Sequence, residues 1–509
     1  MFNSANASKI LESHKEIIDS ALQPRLPEWK TCELLHDRVL NAMWLYIMTY
    51  RLADEVKIDE TSLWYVMDEL GSALRHSDEA NFRVAPFLFM PEGKLDSAVS
   101  YSVLWPIQNV ACGDECTRDF LKGVGEDKQR SARLTAYFHT PRNYFVREYE
   151  KFWQRLTPSE KLSWTSVVNT QCDNKVPLLV YTDIPQIQEL LTRPEFMITS
   201  EIKDADIIWT SMQVDDDFKN AAELKDEQFI NQFPFEASIV MKHHLAMTIQ
   251  KAYGSPEWLQ PTYNLESQLS ALIGDYYVRD ENGRDNLWIL KPWNMARTID
   301  TTVTDNLSAI IRLMETGPKI CQKYIEKPAL FNGKKFDIRY IVLVRSMNPL
   351  QIFLADVFWV RLANNQYTLE KNSFFEYETH FTVMNYRGIL NHKNTDEFIA
   401  EFEQEHQVLW SDIHQRVRTM IRSVFEGAAS VHPEMQSPMS RAIYGVDVML
   451  DDAFKPKLLE VTYCPDCTRA YTYDFKPILG AKQEIRGREF FNYIFGCLFL
   501  GEDNNVTPL

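Results

Sequence analysis

Residues Ile443 to Thr462 read as two apolar alternating runs, Ile443-Tyr-Gly-Val-Asp-Val-Met-Leu450 and Lys457-Leu-Leu-Glu-Val-Thr462, separated by a polar turn that contains Pro456. This pattern predicts a β-hairpin. With its turn centred on Ala453 and Phe454, Leu450 falls opposite Lys457 and Asp447 falls opposite Glu460, so the two carboxylates stand side by side on one face. Like charges directly opposite are destabilising. A shared divalent cation removes that cost, and Mg²⁺ is usually held by one or two carboxylates together with the phosphates of a nucleotide. The hairpin therefore points to a Mg-nucleotide site, with two solvated acids on an edge hairpin as the alternative.

The chain around it is large enough for several domains: 509 residues, 45% of them apolar. Its formal net charge is −17 and its pI about 5.2. Such a chain gains nothing from general phosphate attraction, which argues against a direct nucleic-acid partner. Residues 1–9 lack a basic segment followed by an apolar core, so no signal peptide is expected there. Phe490 to Leu500 is the most apolar segment near the end, far short of the roughly 20 residues of a membrane helix, and it is expected to be a packed helix. No membrane association follows. Eight cysteines, Cys32, Cys112, Cys116, Cys172, Cys321, Cys464, Cys467 and Cys497, are too sparse for a disulfide framework and imply reduced thiols. Cys464-Pro-Asp-Cys467 has no second pair at zinc spacing.

Along the chain, residues 8–57 have a helical pattern, and Trp64 to Met67 and Val84 to Met90 are strand candidates. Tyr137 to Leu162 is predicted helical, and the polar stretch Asn169 to Lys175 marks a boundary. Beyond it, strand patterns at Pro177 to Asp183 and Ala205 to Thr210 flank a helix at Ile187 to Leu191, an α/β alternation. Two further strands follow a helix near 304–315. The first is Ile320 to Glu326; in the second, Lys335 to Val344, Lys335, Asp337 and Arg339 alternate with Phe336, Ile338 and Tyr340. Period two puts the three charges on one face. The strand runs on into Ile341-Val-Leu-Val344, a buried-looking sequence, and buried charges need partners or ligands, so the charged face reads as a ligand-lined cleft rather than a solvated surface. His243 and His244, on a predicted helix, are assigned no ligand role, and Trp64, Trp105 and Trp359 are assigned to core.

Trp288-Ile-Leu-Lys-Pro292, Gln322-Lys-Tyr-Ile-Glu326, Lys335-Phe-Asp-Ile-Arg339, Asp447 and Leu459-Glu-Val-Thr462 resemble, in this order, the ATP-grasp core of the tubulin tyrosine ligase-like family. Asn231-Gln-Phe-Pro234 with Lys242, and Trp258-Leu-Gln-Pro-Thr-Tyr263, are similar to its upstream signatures. The resemblance implies an α+β fold with an ATP-grasp module, ATP and Mg²⁺ as cofactors, and tubulin as partner. Carried over by position, it implies that Lys242, Lys291, Lys335 and Asp337 face the nucleotide, that Gln322, Lys323, Tyr324 and Ile325 meet the adenine edge, and that Asp447, Glu460 and Thr462 hold the metal. It also implies that Arg339 and Arg361 hold phosphate and the acceptor carboxylate, where a planar fork suits two oxygens. Family chemistry makes an acyl phosphate from a protein carboxylate, which the amine of an amino acid attacks, by positioning and charge neutralisation.

Three positions depart from the family pattern. The family's glycine-rich phosphate loop is here Trp293-Asn-Met-Ala-Arg-Thr-Ile-Asp-Thr301, with no glycine; Thr462 replaces a metal-binding asparagine; and Val383 replaces the asparagine of a His-Leu-Thr-Asn element. Glycine loops let backbone amides close over phosphates.

Upstream, Arg75-His-Ser-Asp-Glu-Ala-Asn81 and Cys112-Gly-Asp-Glu-Cys-Thr-Arg-Asp-Phe120 resemble the two boxes of SET methyltransferases, with Arg75 in place of the cofactor-binding asparagine and Phe120 in place of the catalytic tyrosine. The expected organisation is a helical segment over 1–58, a degenerate SET-like, β-rich module with a helical linker over 59–168, and the ligase-like ATP-grasp domain over 176–509. The expected function is a nucleotide-binding modulator of tubulin tyrosination with little ligase turnover. An active protein–amino acid ligase comes second and a histone lysine methyltransferase third, with histones or other proteins as further partners. The expected compartment is the cytoplasm, with the nucleus second.

Overall fold

The computed structural model describes residues 39, 41–50, 63–93, 99–125, 128–156, 176–293, 300–370, 373–374, 376–382, 391–478 and 484–509. Two compact units emerge: 1–151 with 263–292 and 299–321, and 152–262 with 293–298 and 322–509. Neither is a continuous stretch of chain.

The second unit is built on a long hairpin whose first strand is expected from the alternating pattern and whose second, Leu350–Leu362, is not. Strands Lys334–Met347 and Leu350–Leu362 pair antiparallel, Ala442–Leu450 pairs with the former and with Pro456–Tyr463, and Asn391–Asn394 flanks the latter. Period two sorts the long strand cleanly. Phe336, Ile338, Tyr340, Val342 and Val344 face a core with Val417, Ile421 and Phe425 of helix Trp410–Val431. On the opposite face, Ile341 and Leu343 enter a second core with Ile494, Phe495 and Leu498. These belong to helix Phe490–Leu500, the packed helix expected near the end, which is buried along nearly its whole length. A small parallel sheet joins that second core: Leu178–Thr182 lies between Phe196–Ile198 and Ile207–Trp209, as the α/β alternation required.

The predicted hairpin at Ile443 to Thr462 exists, with one correction. Asp447 does pair with Glu460, but Leu450 pairs with Pro456 and Lys457 with Met449. One extra residue is inserted between the two pairings, a β-bulge next to Asp447. Simple counting through a turn cannot register such an insertion.

The first unit holds the four-stranded sheet Arg75–His76, Thr117–Arg118, Phe82–Phe89, Val99–Pro106 in that order. Ile47–Tyr50, expected to be helical, is a strand paired with Leu63–Val66; its β-branched and aromatic residues suit that pairing. Most of the remaining 8–57 segment lies outside the described residues, as does the expected boundary at 169–175. Trp359 is core as expected, whereas Trp105 is 37% exposed on the hairpin Phe82–Phe89/Val99–Pro106.

Also in the first unit, helix Leu265–Glu281 passes so near helix Arg142–Arg155 that a Cβ at Gly274 would lie 2.1 Å from the Phe145 carbonyl oxygen and 2.6 Å from Tyr149 Cβ. Backbone cannot yield as a flexible side chain does. Gly274→Ala is therefore expected to destabilise the protein by about 1–3 kcal/mol, seen as a lower midpoint in urea unfolding, while substitution at the exposed Gly125 has no such neighbour to displace.

Candidate functional site

The charged face of strand Lys334–Met347 is buried: Lys335, Asp337 and Arg339 are 4%, 3% and 7% exposed. Burial of three charges demands compensation, and strand register supplies it. Arg339 sits opposite Asp447 on one side, while Asp337 sits opposite Arg361 on the other. Arg339 donates from Nε to Asp447 Oδ1 and from Nη2 to Oδ2 at 2.8 Å. Arg361 donates from Nε to Asp337 Oδ1 at 2.6 Å and brings Nη2 to 2.7 Å from Asp447 Oδ2. Thr382 Oγ1 donates to Asp337 Oδ2. Two aspartates and two arginines thus form one closed, neutral network. Gly445 makes it possible, because a Cβ there would lie 2.9 Å from both Arg339 Nη1 and Pro465 Cβ.

The network separates the two acids. Burial pushes the Asp337 carboxyl up, against Arg361, and the Asp447 charge adds to the push. Burial acts on Asp447 too, yet Arg339 and Arg361 together hold its carboxyl far below the usual carboxylate range. Asp447 is the stronger acid of the pair.

Lys335 is held differently. Its Nζ donates to Tyr324 Oη at 2.6 Å and lies 4.1 Å from the centre of that ring. Tyr324 Oη lies 2.8 Å from His380 Nδ1, whose Nε2 is 3.0 Å from Ser373 Oγ. Ser373 Oγ donates to the Glu370 carbonyl at 2.7 Å, so it accepts from His380 Nε2–H, and the neutral ring leaves Nδ1 as an acceptor facing the Tyr324 hydroxyl. Burial, aided by Lys335, pushes His380 down to about 4, so the ring is neutral near pH 7.

The remaining expected residues fall as follows. Lys242, first in helix Lys242–Tyr253, has Nζ 3.5 Å from Glu460 Oε2. Gln322 donates to Thr262 Oγ1 at 2.9 Å, and Lys323 Nζ contacts Glu326 Oε1 at 2.6 Å. Ile325 is buried, and Thr462 pairs with Gly445. Lys291 lies in the first unit, half-buried on strand Trp288–Pro292. Residues 294–299, in place of the glycine loop, and Val383 lie outside the described residues. His380 and Thr382 were not assigned as site residues, although the His380-Phe-Thr-Val383 element marked their neighbourhood. For Mg²⁺, hard oxygen donors on adjacent strands suit the ion. Asp447 Oδ1 bonds one N–H and so keeps acceptor capacity, and Glu460 has 32% side-chain exposure, so Asp447 and Glu460 fit a metal bound with a nucleotide.

Compared with known families, residues 219–478 match the Tubulin-tyrosine ligase family and residues 23–141 match the Tubulin tyrosine ligase SET-like domain. Tubulin--tyrosine ligase-like protein 12 of Mus musculus is 35% identical over 501 residues, 92% of this chain and 74% of that protein. The Homo sapiens protein of that name is 36% identical over 91% of this chain and 73% of its own length, and the Caenorhabditis elegans one 34% over 93% and 74%. The chain belongs to the tubulin-tyrosine ligase family. Its SET-like part is the variety found in that family, and the methyltransferase reading has no support. Within it, Asn81 donates to Glu115 O at 2.8 Å and accepts from Thr117 N at 2.8 Å, and His76 Nδ1 accepts from Phe120 N at 3.2 Å. These residues tie the two boxes together.

Two outcomes follow for the ligase-like unit. Asp447→Asn takes the carboxylate from Arg339 and the second carboxylate from Arg361, and is expected to cost about 3–5 kcal/mol, whereas Glu460→Gln, at a half-buried site, changes the unfolding free energy by under about 1 kcal/mol. The second concerns Glu236, which accepts from Tyr444 Oη at 2.9 Å and is raised by burial to about 7. The folded state then holds a proton that the unfolded state releases near the ordinary carboxylate pKa. Stability therefore falls as pH rises from about 4.5 to 7, and a pH series of urea midpoints should flatten in Glu236→Gln.

Proposed function

We propose that this chain binds Mg-ATP through its ligase-like unit and modulates tubulin tyrosination with little or no ligase turnover of its own. Tubulin is the partner that the family and its members' names suggest. Asp447 and Glu460 are the residues that would hold the metal, which when bound neutralises phosphate charge. Lys242 and Lys335 are the lysines of this unit that the family resemblance turns toward the nucleotide, and Lys291 is likewise assigned by sequence pattern.

The observation that carries the low-turnover reading is the neutral network of Asp337, Arg361, Asp447 and Arg339. Ligation asks both arginines to hold anionic groups that change charge during the reaction. Here each guanidinium already faces a buried carboxylate, so an incoming acceptor carboxylate must compete with internal partners. The glycine-free segment after Lys291 removes the usual close-fitting amides from the phosphate side. The setting that agrees with this function is the cytoplasm, where tubulin is.

Purified chain, tubulin, MgATP and labelled tyrosine, glutamate or glycine should give no incorporation above a no-enzyme control. MgATP at millimolar concentration should raise the unfolding temperature, and Glu460→Gln should reduce that shift. In cells, the effect on tubulin tyrosination should persist in Glu460→Gln. Amino acid incorporation that disappears in folded Glu460→Gln would establish the active-ligase alternative instead.

A further inference from the structure

Three neighbouring rings at the start of helix Lys242–Tyr253 carry nitrogen atoms that the described residues leave unsatisfied. His243 is 7% exposed; its ring lies 4.1 Å from that of Trp293 at an interplanar angle of 20°, and 4.0 Å from that of His244. His243 Nδ1, His244 Nδ1 and Trp293 Nε1 are all buried and lack a hydrogen-bond partner among the described residues. Each such atom costs roughly 1–3 kcal/mol if nothing meets it. Three in one spot mark a place prepared for something that can meet them.

The same spot attracts negative charge. The helix is 12 residues long, and its N-cap, Met241, has no side chain to accept from the first-turn amides. Those amides and the helix dipole favour an anion. Lys242 adds an ammonium on the first helical residue, 3.5 Å from Glu460 Oε2. An indole N–H can only donate, so the missing group must be an acceptor. Burial pushes His243 down to about 4, which leaves a neutral ring with one N–H to give. The Trp293–His243 stack is already closed, and no base can slide between the rings.

We propose that Lys242, His243, His244 and Trp293, at the uncapped start of this helix, form a cradle for the terminal phosphates of a nucleotide. It rests on the nucleotide-binding reading above and deepens it. Side-chain N–H groups here do the work that backbone amides of a glycine loop would do, and Trp293 is the first residue of the segment that lacks those glycines.

The test uses the full chain with three probes: inorganic tripolyphosphate, ATP and adenosine, measured by calorimetry in Mg²⁺ buffer. Trp293→Phe keeps the stack and removes the N–H; His244→Phe removes the second orphan nitrogen. Wild type should bind tripolyphosphate, and each variant should weaken both tripolyphosphate and ATP by about tenfold or more, the loss expected for one hydrogen bond to a charged group. Adenosine binding should be unchanged. If His244→Phe fails to fold, as judged by its unfolding midpoint, Trp293→Phe alone decides. Wild type that does not bind tripolyphosphate, or a folded Trp293→Phe that binds it as wild type does, overturns the cradle. ATP binding without tripolyphosphate binding would leave the nucleotide reading standing and the cradle refuted. Tripolyphosphate binding lost in the variants, without ATP binding, would uphold the cradle and refute the nucleotide reading.

Discussion

Four buried charges that cancel hold the sheet of the ligase-like unit together. Asp337, Arg361, Asp447 and Arg339 come from three adjacent strands, and register places them as two opposed pairs, Asp337 with Arg361 and Arg339 with Asp447. Desolvating four ions carries a penalty of several kcal/mol each, recovered only when geometry is good and the remaining lone pairs are met. Both aspartates meet that condition, one through the fork of Arg339 and the other through Arg361 and Thr382. The arrangement fixes register as well as charge. A slip of one residue would turn Asp337 and Arg339 toward Val417 and Phe425.

What the sequence revealed and what it concealed divide along sequence distance. Alternation in Lys335-Phe-Asp-Ile-Arg-Tyr340 is local, and the strand, its two faces and the burial of its charges could all be read there. The partners could not, since Asp447 lies 108 residues from Arg339. Opposition of Asp447 and Glu460 was legible because a short turn joins their strands. The bulge beside Asp447 was not, because no turn residue signals it. Repulsion between those two acids is the cost that their opposition creates. Within the described residues, Arg339, Arg361 and Lys242 remove much of it, which a two-strand argument for a metal did not anticipate.

The SET-like unit shows how a binding box becomes a packing device. His76 and Asn81 sit where cofactor contacts would be sought, yet their polar atoms join the two box segments, and His76 packs against Phe120 and Phe138. Among the described residues, His76, Asp78 and Asp119 alone form a cluster with metal-like spacing. Arg130 is the cation there: its Nη2 lies 2.5 Å from Asp78 and 2.8 Å from Asp119. A guanidinium satisfies both carboxylates without the demands on ligand number and geometry that a metal makes. In this chain the box residues cross-link the fold.

The same substitution of internal partners for ligands governs the ligase-like unit, but less completely. The arginine network is closed, so an anion that enters gains from a guanidinium only what the aspartates give up, and a transition-state clamp contributes to rate only through interactions that strengthen as charge develops. Binding has no such requirement. The start of helix Lys242–Tyr253 differs: among the described residues His243 Nδ1, His244 Nδ1 and Trp293 Nε1 have no partner, and the Met241 cap offers no side-chain acceptor. A protein arranged this way can retain affinity for a phosphate chain while the groups that would turn it over stay committed to one another. Under the proposed function, it is this asymmetry, rather than the loss of any single residue, that would separate binding from turnover.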